Sequence, residues 1–140
     1  MAITFANTFY NDIMDTLINI INVEFSIPVY LDEARGSHCF VLTPDSDDLI
    51  DYMSTGVQRE FNVNILYQIK QGGSYTKDVF KQVSNNVERL KRLIFNNSSY
   101  NNGSTWFDAK ITTVNYERDE DDNSIFKANI IFNCQNIEVI

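Results

Sequence analysis

The segment Val57-Gln58-Arg59-Glu60-Phe61-Asn62-Val63-Asn64-Ile65-Leu66-Tyr67-Gln68-Ile69-Lys70 decides the fold. Val57, Phe61, Val63, Ile65, Tyr67 and Ile69 fall on one side of an extended chain, with Arg59 as the exception. Gln58, Glu60, Asn62, Asn64, Gln68 and Lys70 fall on the other, with Leu66 as the exception. Period-two alternation of this length predicts a strand in a sheet with one dry face and one polar face. At ~3.3 Å per residue the strand is ~45 Å long, more than a small core requires, so part of it is expected to project as a hairpin arm.

Downstream, Gly72-Gly73 breaks the strand, and Ser74 or Thr76 caps the second helix. Lys77 to Phe95 then carries Val79, Val83, Val87, Leu90 and Ile94 at helical spacing, with Phe80 beside the stripe. Asp78 in its first turn and Arg89, Lys91 and Arg92 near its end suit the helix dipole. Asn96 to Ser104 is a polar loop expected to be mobile in a free subunit. Trp106 to Tyr116 reads as a strand with a bulge near Thr112, where the apolar parity shifts. Glu117 to Asn123 is an acidic hairpin tip, and Ser124 to Cys134 is the last strand.

Upstream, Phe9, Ile13, Leu17 and Ile20/Ile21 mark a helix over Thr8 to Ile21, capped by Asn7 or Thr4. Phe25 to Leu31 reads as an edge strand, because Pro28 donates no ladder hydrogen bond. Arg35-Gly36-Ser37 is a turn, His38 to Thr43 a strand, and Pro44 to Asp48 an acidic loop. The order is αβββαββ: an α+β fold with a mixed, mostly antiparallel sheet and two helices packed on one face, forming one domain over residues 1–140.

Composition narrows the function. Apolar residues make up 44% of the 140 residues and charged residues 21%, the balance of a globular chain. A net charge of −8 argues against a binder of nucleic acid or anionic membrane, because phosphate affinity rests on clustered Lys and Arg. Cys39 and Cys134 sit among apolar neighbours and read as buried, reduced thiols, with a disulfide closing a long loop as the alternative. The apolar stretch Leu17 to Val23 is broken by Asn19 and Asn22 and is far shorter than the roughly 18 residues of a membrane span. The expectation is a protein made and kept in a cytosol.

Candidate chemical motifs fall short of their requirements. His38 is the only histidine, so neither a histidine-rich zinc site nor a Ser-His-Asp triad is indicated. Asp45, Asp47, Asp48 and Asp51 suggest calcium ligands, but an EF-hand loop starting at Asp45 would place Leu49, Ile50 and Gly56 where an oxygen ligand, a glycine and a glutamate are needed. Asp119, Glu120, Asp121 and Asp122 read as a wet hairpin tip. Gly72-Gly73-Ser74 lacks the Gly-x-x-x-x-Gly-Lys pattern of a phosphate loop. The expectation is no catalytic residue, metal or cofactor. The many tyrosines point instead to protein contacts, with Tyr52, Tyr75 and Tyr100 as candidate interface aromatics.

The whole-chain pattern resembles the tail terminator, or tail completion, proteins of long-tailed bacteriophages. The resemblance is carried by the helix with Phe9, Ile13 and Leu17, by Ile27-Pro28-Val29-Tyr30, by the long strand Val57 to Lys70, by the Gly-Gly turn and second helix, and by the closing hairpin ending in Phe126 to Cys134. It implies a structural virion protein: a homohexameric ring at the tail tube–neck junction. One face would meet the tail tube protein and the other the neck or head-completion protein, with DNA passing through unbound. An acidic lumen would keep DNA from adhering. The candidate channel or axial-interface acids are Asp45, Asp47, Glu60, Asp119 and Asp121. The alternatives are another neck or tube ring protein, or a small-ligand-binding or enzymatic α+β domain with a pocket between helix and sheet.

Overall fold

A computed structural model describes residues 2–70, 79–122 and 124–139. The expected Gly72-Gly73 turn, its caps Ser74 and Thr76, and Tyr75 lie outside the described residues.

Five strands form one sheet in the order β1-β2-β3-β5-β4. They are β1 (Val29–Tyr30), β2 (His38–Met53), β3 (Gly56–Lys70), β4 (Phe107–Arg118) and β5 (Ile125–Val139). β1 runs parallel to β2, and the other pairings are antiparallel, so the sheet is mixed and the fold is α+β. Helix α1 (Asp15–Glu24) continues a π-helical turn, Phe9–Met14, and α2 (Val79–Asn96) follows β3. Asn7 starts the first helical run by accepting the Tyr10 backbone N–H on its side chain at 3.2 Å. The wider π turn lets the adjacent residues Ile13 and Met14 both reach the core.

The alternation in β3 sets the architecture. Phe61, Val63, Ile65 and Tyr67 are buried, and so are their neighbours Phe40 and Leu42 on β2 and Ala128, Ile130, Phe132 and Cys134 on β5. Leu17 and Ile21 of α1, and Val83, Val87, Leu90 and Ile94 of α2, complete the same apolar cluster. Phe9 meets Phe61 edge-on, Phe25 meets Phe40, and Phe80 meets Phe126, so both helical segments rest on one face of the sheet. Trp106 closes the end beside Phe132, its indole N–H donating to the Asn97 carbonyl at 2.7 Å.

Two expectations are corrected. Strand β1 has two residues, not seven; Pro28 precedes it at the sheet edge, its carbonyl accepting the Phe40 N–H. Pro44 to Asp48 is not a loop: β2 continues without a break to Met53. Bulges between Pro44 and Ser46 and between Leu49 and Asp51 shift its parity twice, which erases the period-two signal. Pro44 is tolerated because β1 pairs with β2 only at Phe40 and Val41, leaving the outer edge of β2 unpaired there. In the loop after α2, Tyr100 N–H donates to Trp106 O, Ala109 N–H to Ser98 O, and Asn101, Asn102 and Gly103 take positive φ to turn the chain. The expected bulge in β4 is present between Ile111 and Thr113, and β5 runs five residues past Cys134.

Candidate functional site

The far halves of β2, β3 and β5 extend as a three-stranded arm. Tyr52 pairs with Val57 and Met53 with Gly56 on one side of β3, while Val57 pairs with Glu138 and Gly56 with Val139 on the other. A side chain at Gly56 would meet the Glu138 carbonyl oxygen at 2.2 Å, so close β3–β5 pairing at this point requires glycine.

Arg59 stands where the apolar series of β3 leaves the core. It donates two hydrogen bonds to the Asp47 carboxylate on β2, lies 3.4 Å from the Glu138 carboxylate on β5, and covers the Phe61 ring at 4.7 Å. The interruption in the strand's apolar face is therefore a clamp across three strands. The Asp47 side chain holds the Arg59 guanidinium in its charged form.

Beyond the clamp the β2 side of the arm is apolar and open, whereas Asn136 on the β5 side is buried and donates to the Ser104 and Thr105 carbonyls. Leu49, Ile50, Tyr52, Met53, Ile137 and Val139 are all exposed, Tyr52 at 74% and Val139 at 78%. Four of them fall within five residues, directly after the acidic run. That clustering is the sequence signal for this surface, because a solvated loop has no need of four large apolar side chains.

The candidate acids divide into two groups. Asp45 is the extra residue of the first bulge and is exposed. Asp47 lies opposite Phe61, on the helix-bearing face, whereas Glu60 points to the other face and accepts from the Asn133 amide. Asp119 and Asp121 sit at the β4–β5 tip beside Lys70, at the opposite end of the sheet. Nine residue steps along β3 lead from Phe61 to Lys70, about 30 Å of strand. Asp119 is committed to structure: it pairs with Lys127 at 3.0 Å and accepts the backbone N–H groups of Asp121 and Asp122, contacts that hold its carboxyl below the usual range. Of the candidate aromatics, Tyr52 is on the arm, Tyr100 is half-buried against Trp106 with centroids 5.5 Å apart, and Tyr75 is outside the described residues.

The helix-free face of the sheet is lined with amides. Gln58 donates to Gln135 at 2.8 Å, Asn62 to Ser46 at 2.9 Å, and Asn133 to both Glu60 and Asn62. The side-chain carbonyls of Asn64 and Asn133 are buried and accept no hydrogen bond among the described residues. Cys39 and Cys134 are buried free thiols, and burial pushes the Cys134 thiol far above its ordinary range.

His38 begins β2 and meets the Tyr67 hydroxyl under α2, where Asn86 donates to the same hydroxyl at 2.8 Å. Burial lowers the imidazole pKa, favouring the neutral ring, whose Nε2 shares a hydrogen bond with the Tyr67 hydroxyl. This chain of three joins sheet to helix. Among the described residues no group of three His, Cys, Asp or Glu side chains is placed to hold a metal ion, and no helix is long and apolar enough to cross a membrane.

No family model and no curated protein matches this chain.

Proposed function

We propose that the chain is a structural virion subunit that forms a homohexameric ring at the junction of tail tube and neck, capping the tube and joining it to the head connector. The observation that supports this most is the three-stranded arm, whose exposed apolar side chains extend past the core they belong to. Such side chains cost about 25 cal/mol per Å² while they stay wet, and protein contact removes that cost. An arm of this kind suits a subunit whose function is association. The tail-junction assignment comes from the resemblance of the chain's pattern to tail terminators, and the exposed arm supports assembly in general.

The position of the acids bears on the channel. With the sheet axis along the bore and the amide-lined face inward, Glu60 lies on the channel wall. Asp119 and Asp121 then stand at one rim, while Asp45, beside Asn62 and Val63 midway along β3, stands at neither. Asp47, bound to Arg59 on the helix side, belongs to the subunit's own scaffold. Lys70, Lys110 and Lys127 share that face, each paired with an acid (Asp122, Asp108 and Asp119), so DNA would meet amides, acids and neutralised bases.

Antibody raised against the chain should label the tail–neck junction of particles that contain it, as one cluster per particle. Label distributed along the tube or over the capsid would contradict the assignment.

A further inference from the structure

The arm and helix α2 are opposite in charge. Residues 45–60 carry five acids against the single base Arg59, a net −4. Residues 79–96 carry four bases, Lys81, Arg89, Lys91 and Arg92, against the single acid Glu88, a net +3 in a chain whose total is −8. Each surface also exposes large apolar groups: Tyr52 and Leu49 on the arm, Phe95 on α2 at 70%. Asp48 and Asp51, flanking the arm's apolar pair, have no ion-pair partner among the described residues, and Arg92 makes only a cation–π contact with Phe95 at 5.6 Å.

The two surfaces also lie toward opposite margins of the sheet. The arm's free edge is β2, next to the edge strand β1. Phe95 overhangs β4, the other edge, where Lys91, Phe95, Ala109, Lys110 and Ile111 line a groove of about 200 Å³. Lys91 and Phe95 also border an adjoining hollow of about 420 Å³, lined as well by Arg92 and by Glu88, which pairs with Lys91 at 3.2 Å. Contacts between two different patches at opposite edges propagate in one direction and close into a ring when the rotation permits.

We infer that the arm tip of one subunit docks on the Phe95 groove of the next copy of this chain, with Tyr52 seated against Phe95 and with Asp48 and Asp51 facing Lys91 and Arg92. This rests on the ring reading and supplies its interface. Charge selects the contact, because arm against arm sets acid on acid and α2 against α2 sets base on base. The aromatic pair supplies the buried anchor.

The test is a charge exchange on the full chain, followed by mass from light scattering over a range of concentrations. The wild-type chain should assemble. Lys91→Glu/Arg92→Glu and Asp48→Lys/Asp51→Lys should each weaken assembly about tenfold or more. All four altered side chains are on the surface, so melting curves that match wild type will show that folding is intact. Mixing the two variants should restore assembly, since each arm then finds an opposite groove on its neighbour. Tyr52→Ala should weaken assembly without changing the melting curve. Wild-type assembly that survives both reversals would overturn the docking mode and leave the ring reading standing. A wild-type chain that stays monomeric would overturn both.

Discussion

Arg59 of β3 grips Asp47 of β2 with two parallel hydrogen bonds at the point where the sheet leaves its helices. The pair is partly shielded from water and shares its cation with Glu138 and the Phe61 ring, so it is stronger than a free surface ion pair. Arg59→Ala should cost about 1–2 kcal/mol in urea denaturation, since it also leaves two carboxylates facing each other. A double-mutant cycle with Asp47→Ala should return a coupling of about 1 kcal/mol. Independent, additive effects would show that the clamp contributes nothing.

Gly56 should not accept a side chain. With the Glu138 carbonyl 2.2 Å from a built Cβ, Gly56→Ala must push β3 away from β5 at the arm's end. Overpacking of this kind costs about 1–3 kcal/mol. Amide hydrogen exchange should become faster in the arm, at Val57 and Val139, while Ile65 in the core stays protected. Unchanged protection throughout would mean that the arm strands are not paired as described.

Leu90 of α2 is fully buried in the common core. Leu90→Ala should lower stability by about 2–5 kcal/mol. Thermal stability equal to wild type would place the helix elsewhere.

Acid should destabilise the chain through His38. Its folded pKa lies below the ordinary 6.5 because burial disfavours the imidazolium. The unfolded chain therefore takes up this proton at higher pH than the folded one. The stability tied to neutral His38 is complete above about pH 6.5 and falls as pH drops from there toward the folded pKa. NMR titration of the single imidazole should give a midpoint under 6.5, and Tyr67→Phe should shift it. A midpoint above 6.5 would reverse the sign and contradict the buried arrangement.

The parts of the fold that are legible in the sequence are those with an unbroken period. β3 keeps one parity from Val57 to Ile69, and α2 keeps its stripe from Val79 to Ile94; both form where their periods predict, and with them the α+β order. β2 is readable only to Thr43, because two bulges and Pro44 scramble the alternation while backbone pairing continues to Met53. Pairing is a property of the partner strand, and nothing in Pro44-Asp45-Ser46-Asp47 announces it. The excess length of β3 points to the arm but not to its composition, since Ile137 and Val139 come from a strand expected to end at Cys134. In the sequence, Arg59 is only a flaw in an apolar face. Its meaning needs Asp47 and Glu138, which are 12 and 79 residues away in the chain.

The most direct test of the ring is the mass of the assembled protein in native mass spectrometry at micromolar concentration. The ring reading predicts a closed species at six times the 16.2 kDa chain mass, with dimers and trimers minor. A chain that remains at 16.2 kDa at every concentration would contradict it.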